Sequence, residues 1–144
     1  MSKTATLKTA EVTRKWWLID ASLLPVGRMS TMAARLLIGK TKPTYTAHID
    51  NGDFVVIINA DAYQVTGKKM DDKLYQHHTG YPGALRTKTL RELGNFDTRL
   101  IIIKAVSGMV PKNKLFAERI KRLKVFAGSE YDHTAQQPVE IKEL

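Results

Sequence analysis

The chain contains no cysteine. That absence removes disulfides, thiolate metal sites and cysteine nucleophiles together, and it suits a cytoplasmic protein. Long apolar runs are missing as well: Phe54 to Ile58, the longest, has the length of a strand, far below the ~20 residues a membrane span needs. The first ten residues, Met1 to Ala10, carry no apolar stretch of the kind a secretory signal requires. They are basic, Thr-rich and nearly acid-free, as in an organelle transit peptide, but no arginine appears before Arg14, and they read as a basic arm. Acids are scarce throughout, with 14 Asp+Glu against 23 Lys+Arg and a net charge of +9. Such self-repulsion is a liability without an anionic partner, and nucleic acid is the first candidate. A membrane surface fits less well, because no helix joins a Lys/Arg face to exposed aromatics.

What remains is an ordinary globular composition of 144 residues, with 43% hydrophobic and 26% charged. A chain of this length buries roughly 70% of its unfolded surface and folds without a staple. The expected division is a basic arm over residues 1–14, one domain over 15–128 and a tail over 129–144, irregular and broken by Pro138.

Trp16 to Asp20 reads as a strand, and Pro25 and Gly27 mark a turn. Met29, Met32, Ala33, Leu36 and Leu37 then recur on one helical face, with Gly39 placed to stop the helix. Phe54 to Ile58 is a continuous apolar run between turn residues, the mark of a strand covered on both faces. Strand, helix and strand in this order predict an α/β fold with a largely parallel sheet. Lys73 to Thr79 fits a polar edge strand, Gly80 to Gly83 a loop, and Thr89 to Leu93 one helical turn ending at Gly94. Leu100 to Ile103 alone fits a strand; extended to Val110, with Asp97 as N-cap, it makes the better helix. Leu115 to Leu123 reads as a helix and Lys124 to Ala127 as a last strand.

Motifs for phosphate chemistry fail. Gly39-Lys40-Thr41 ends like a P-loop, but Ala34 stands where the first glycine belongs, and the required strand-to-helix order is reversed. No dinucleotide fingerprint occurs. His77 and His78 are neighbours that a strand would point to opposite faces, and no His pair has zinc spacing, so no metal or cofactor is expected. His48, His77, His78 and His133 are read as surface or RNA-facing donors. No serine sits in a nucleophile elbow, and Asp20, Asp53 and Asp61 suit turn capping better than catalysis. An enzyme is not expected. The nearest such rival would act on a phosphorylated ligand with the loops after Asp20 and Asn59.

The positive signal is basic. Lys112, Lys114, Arg119, Lys121, Arg122 and Lys124 oppose one acid, Glu118; on a helix, Lys114, Lys121 and Arg122 would face away from Phe116 and Ile120, with Arg119 at the margin. Arg28 and Arg35 share an outer stripe with Thr31, and Lys40 and Lys42 continue past the helix end. A third cluster runs from Lys68 and Lys69 through Lys73 to His77, His78 and Tyr81. Rings and cations alternate there, with Tyr45 adding another ring, as binding to unpaired RNA bases requires.

A set of short motifs in fixed order carries a resemblance. They are Trp17 to Ala21 with Gly27-Arg28, Leu37-x-Gly39-Lys40-x-Lys42, and Gly52 to Val56 with Asn59-Ala60. Thr66 to Lys69, His78 to Gly83, Ala105-Val106-x-Gly108 to Asn113, Leu123 to Gly128, and Ala135-Gln136-x-Pro138 follow. Together they resemble the large-subunit ribosomal protein thirteen (uL-thirteen) family of bacterial type. The resemblance implies a three-layer α/β domain with a central, mostly parallel sheet flanked by helices. It also implies a structural constituent of the large ribosomal subunit, without catalytic activity, that binds large-subunit rRNA directly and early in assembly. Its partners would be that rRNA and neighbouring ribosomal proteins, with mRNA repression outside the ribosome as the alternative. By the same resemblance Arg28, Lys40, Lys42, Lys68, Lys69, His78, Tyr81, Lys112 and Asn113 face rRNA. The chain departs from the family pattern at Ala47, Ala84, Lys114, Phe116-Ala117 and Ser129 to Asp132, and Lys114 and Arg119 are expected to replace the arginine missing at Ala117.

Overall fold

The computed structural model describes residues 8–141. Four strands form one parallel sheet in the order β5-β2-β1-β6. They are β1 (Trp16–Asp20), β2 (Phe54–Ile58), β5 (Leu123–Val125) and β6 (Val139–Glu140). β1 and β2 pair residue for residue from Trp16↔Phe54 to Asp20↔Ile58. The α/β class and the parallel sheet are those expected from the alternation of apolar strand and amphipathic helix.

Strand alternation assigns the two faces. Ile19, Val55 and Ile57 point into the main core, where they meet α1 (Val26–Ile38) and α4 (Thr98–Met109) through Met29, Ala33, Leu37, Ile102 and Val106. Phe116 and Ile120 of α5 (Phe116–Lys121) pack on the same core. On the opposite face Trp16 stacks flat on Phe54, with ring centres 4.2 Å apart, and His133 lies 5.1 Å from Trp16 and 5.8 Å from Phe126. His133 is therefore part of an aromatic cluster rather than an outward-facing donor.

Several boundaries differ from the expected ones, each for a local reason. α1 begins at Val26, since only Pro25 must be non-helical and Gly27 is tolerated in the first turn; it ends at Gly39, whose φ of 83° is left-handed. α3 (Leu90–Phe96) opens on a capping box: Glu92 N donates to Thr89 Oγ1 at 3.2 Å, and Thr89 N donates to Glu92 Oε2 at 2.9 Å. It passes through Gly94, where a side chain would collide with the Tyr63 hydroxyl, so that glycine serves packing and not termination. Asp97 caps α4 by accepting from Arg99 N at 2.9 Å.

The edge strand expected at 73–79 is β3 (Leu74–His78), and it belongs to a separate two-stranded ribbon with β4 (Leu85–Thr89). The sequence pattern gives no sign of β4, because Arg86, Thr87 and Lys88 lack the apolar content by which strands are recognised. The short helix α2 (Lys69–Asp72) precedes the ribbon. A second core of Leu90, Leu93 and Ile101, with Tyr63, Val65, Met70 and Tyr75 around it, anchors ribbon and helices to the body. The tail is less irregular than expected. It forms a 3-10 turn at Thr134–Gln136 and then β6, which pairs with β1 through Trp17↔Val139 and Leu18↔Glu140. Of the basic arm, residues 1–7 lie outside the described residues, and Thr9–Glu11 is a single 3-10 turn.

Two glycines make opposite predictions. A Cβ on Gly52 would stand 1.7 Å from the Leu37 carbonyl oxygen, a backbone atom that cannot yield. Gly52→Ala should cost at least about 3 kcal/mol or abolish folding. Gly108, inside α4, has open space at the Cβ position. Gly108→Ala should raise stability by roughly 0.5–1 kcal/mol, read from urea melts followed by circular dichroism.

Candidate nucleic-acid interface

The cations divide into those turned inward and those turned outward. Asp50, on the loop before β2, collects the inward set. Arg122 donates from Nη2 to Asp50 Oδ1 at 2.7 Å, pairs through Nη1 with Oδ2, and also donates from Nη2 to the Leu37 carbonyl at 3.2 Å. Arg119 Nε lies 3.5 Å from Asp50 Oδ1, and Arg14 Nη2 lies 3.7 Å from Oδ2. Arg119 is 1% exposed and Arg122 6%. Both were expected on or beside the outer basic face, and both are corrected to core residues. Arg119 is the buried residue of the short helix α5 and faces Asp50, and Arg122 follows as the helix C-cap. Of the two residues expected to replace the arginine missing at Ala117, Arg119 is buried and Lys114 is exposed.

Burial pushes the Asp50 carboxyl up, but the hydrogen bond and charge of Arg122, joined by the charges of Arg14 and Arg119, outweigh it and hold the pKa below the ordinary 3.8. Asp53 plays a similar part. It accepts from Lys15 N at 3.0 Å and Trp17 Nε1 at 2.9 Å, and pairs with Lys42 Nζ at 2.6 Å. Lys42 also donates to the Thr13 carbonyl at 2.8 Å, so this half-buried side chain fastens the N-terminal segment to the body. Asp20 caps the following turn, accepting from Ser22 N at 2.8 Å and Asn59 Nδ2 at 3.1 Å, and Asp61 accepts from Thr98 Oγ1. Like Asp50, the aspartates Asp20, Asp53 and Asp61 serve architecture in these contacts.

The outward set is larger. Arg28, Thr31 and Arg35 form the exposed stripe of α1, opposite Met29, Met32, Ala33 and Leu36. Thr31 Oγ1 lies 3.5 Å from Met109 Sδ at the end of α4, which sets this stripe beside the loop carrying exposed Lys112, Asn113 and Lys114. Asn113 has a structural duty as well, since its Oδ1 accepts from Leu115 N at 3.1 Å. Lys40 is exposed past Gly39; a Cβ at that glycine would meet the Asn51 carbonyl oxygen at 2.6 Å, so the turn presenting Lys40 depends on it. Lys121 is exposed but pairs with Glu118 at 3.0 Å, and Lys124 is half-buried in β5.

The remaining candidates lie around the ribbon. Exposed Lys68 and Lys69 open α2. Lys69, Lys73 and Lys104 share a cleft of about 490 Å³ with Val26, Val65 and Tyr75. Lys73 and Lys104 both stand over the Tyr75 ring, at 5.7 and 5.3 Å from its centre. At the ribbon's tip His78 Nδ1 accepts from Gly80 N at 3.0 Å, and Tyr81 is exposed. His77 looks into a second cleft of about 310 Å³, lined also by Arg86, Lys88, Phe96 and Lys104. Arg86, Lys88, Phe96 and Lys104 escaped the sequence reading. Two residues apart in β4, Arg86 and Lys88 share one ribbon face with His77 and Tyr75, a period-2 signal available once the loop at Gly80 to Gly83 is read as a hairpin turn.

Among the described residues no group of three His, Cys, Asp or Glu is placed to hold a metal ion, and no helix is long and apolar enough to cross a membrane. The arrangement suits contact with phosphates from several sides, with rings available for stacking.

A family model described as Ribosomal protein L13 matches residues 14–132. Among similar proteins, the large ribosomal subunit protein uL13 of Geobacter sulfurreducens is 50% identical over 138 residues, covering 96% of each chain. That of Thioalkalivibrio sulfidiphilus is 51% identical over 136 residues, covering 94% of this chain and 96% of its own. The uL13 protein of Caldanaerobacter subterraneus is 48% identical over 134 residues, covering 93% and 94%.

The inward network makes its own prediction. Asp50→Ala leaves Arg119 and Arg122 buried without their carboxylate, and three of their nitrogens already lack a hydrogen-bond acceptor. The cost should be about 3–5 kcal/mol. A carboxyl whose folded pKa lies below its unfolded value contributes stability above the unfolded pKa and loses it as pH falls through the folded one. The gap between native protein and Asp50→Ala should therefore be full at neutral pH and shrink below pH ~4 in denaturant melts. A gap independent of pH would overturn this account.

Proposed function

The chain belongs to the ribosomal protein L13 family, and on that premise we propose that it is a structural constituent of the large ribosomal subunit that binds large-subunit rRNA directly and early in assembly. The observation that carries the reading is the 50–51% identity, over nearly the full length, to proteins named for that subunit, on a chain with a net charge of +9. The distribution of that charge supports it. Arg28, Arg35, Lys40, Lys68, Lys69, Lys112 and Lys114 are exposed, and none is in an ion pair among the described residues. Exposed cations without acids gain most from phosphates, whose bound counterions are released on contact.

Arg28, Arg35, Lys40, Lys68, Lys69, Lys112 and Lys114 contact the backbone, and His77, His78 and Tyr81 add hydrogen bonding and stacking at unpaired nucleotides. Lys121 and Lys124 act at the margin, one shared with Glu118 and the other half covered. Asn113 and Lys42 hold the segments that carry these contacts. Arg119 and Arg122 take no part in the contact itself and keep the loop beside them in place. Specificity comes from the fit of this surface to a folded junction, because A-form grooves hide base edges. The protein works in the cytoplasm, next to other large-subunit proteins.

If about six cations touch phosphates, log affinity should fall against log salt with a slope near −4 to −5, at ~0.7–0.9 per contact. Filter binding to a large-subunit rRNA transcript measures it, and a slope near zero refutes phosphate-led binding. Lys112→Glu with Lys114→Glu should weaken that binding at least about tenfold while leaving the thermal melt unchanged, since both side chains are exposed. Co-sedimentation with large subunits in a sucrose gradient separates this role from repression of a free mRNA, which would leave the protein at the top of the gradient.

A further inference from the structure

The β3–β4 ribbon leans over α3 and α4, and the gap between them is the 310 Å³ cleft lined by His77, Arg86, Lys88, Phe96 and Lys104. Three features of this cleft concur. First, Arg86, Lys88 and Lys104 converge on it, no carboxylate lines it, and none of the three is in an ion pair among the described residues. Second, Phe96 is 73% exposed, a large apolar ring held against water. Third, the cations are already arranged about rings, with Lys88 Nζ 5.1 Å from the Phe96 centre and Lys104 Nζ 5.3 Å from that of Tyr75. Capping keeps Phe96 in place: the box at Thr89 and the Asp97 cap bracket the short helix that ends on it.

We propose that this cleft takes one unstacked nucleotide of single-stranded RNA, its base stacked on Phe96 and its phosphate held among Arg86, Lys88 and Lys104. The volume lies at the small end of ligand clefts, ~300–1,000 Å³, which suits one nucleotide and excludes a duplex. An acidic segment of a neighbouring protein would satisfy the cations but leave the face of Phe96 wet. A base satisfies both, since every base presents a flat π surface next to its own phosphate. His77 stands at the same mouth, within the cleft lining, as a hydrogen-bond partner for a base edge. The inference rests on the RNA-binding reading above and adds to it the strand state of the RNA at this place.

The test uses the full chain and three probes: a large-subunit rRNA transcript, a short oligouridylate, and an RNA duplex of equal charge. Phe96→Ala should lower affinity for oligouridylate about tenfold and leave the duplex within about twofold, because stacking serves only unpaired bases. Phe96→Trp should keep the affinity, and its added indole fluorescence should be quenched by oligouridylate but not by duplex. Lys88→Glu with Lys104→Glu should weaken oligouridylate binding and flatten its salt slope by about 1.4–1.8, the share of two phosphate contacts, and should affect the duplex, which the cleft does not admit, far less. If the native protein binds the transcript but neither Phe96→Ala nor the double reversal changes binding to it or to oligouridylate, the cleft inference fails and the rRNA reading stands. A native protein that ignores the transcript overturns both. Normal RNA binding by Phe96→Ala with defective incorporation into subunits gives the cleft to a neighbouring protein and also overturns the inference. Should Phe96→Ala unfold, the tryptophan variant and the double reversal decide the matter.

Discussion

Among the described residues the Asp50 carboxylate is the one acid on which three arginines converge. Arg14 comes from the segment before β1, Arg119 from α5 and Arg122 from the entry to β5, and Arg122 reaches on to the Leu37 carbonyl near the end of α1. Four parts of the chain far apart in sequence are therefore tied at one point beside the sheet. Burying guanidinium groups is expensive unless a carboxylate stays with them, so these contacts hold together or fail together. Asp53, three residues on, does the same on a smaller scale for Lys15, Trp17 and Lys42. In a chain with an excess of base, acids are the scarce component, and both stand in the loop leading to the central strand β2.

That allocation explains the surface. Once Asp50 and Asp53 have drawn Arg119, Arg122 and Lys42 inward, most of the surplus charge lies on the α1 stripe, the loop after α4, and the α2–ribbon region. In the proposed role, cations held in fixed relation on one body, two patches adjoining and one around the ribbon, would match phosphates best where the RNA itself has a fixed shape. Under that proposal affinity would grow with the number of simultaneous contacts, and register would come from the spacing of the patches. The ribbon adds rings to charge at Tyr75, His77 and Phe96, where the others offer mainly charge.

Much of this is legible in the sequence itself. β1, α1 and β2 announce themselves by apolar periodicity, and Asp97 by its place before a helical run, because those signals are local. The outer stripe at Arg28 and Arg35 follows from the same helix phase. What could not be read depends on distant residues. Arg119 and Arg122 look like surface cations until Asp50 is placed against them across a separation of about seventy positions. Strand β4 is polar because both ribbon faces meet water or a shallow cleft, so its pattern lacks the apolar half. The edge strand β6 has only two paired residues, too few for any periodicity. Gly94, which looks like a helix stop, is small to admit Tyr63.

The order of strands across the sheet, β5-β2-β1-β6, puts the first two strands in the middle and the last two at the rims. During synthesis from the N-terminus, β1 and β2 emerge together with α1 and can pair early, yet both of their outer edges stay bare until the final quarter of the chain appears. Asp50 meanwhile waits for Arg119 and Arg122, which arrive in that same final stretch. The two rims of the sheet and the Asp50 ion pairs with Arg119 and Arg122 therefore depend on the same late-made stretch, residues 119–140, and neither can form before it is present.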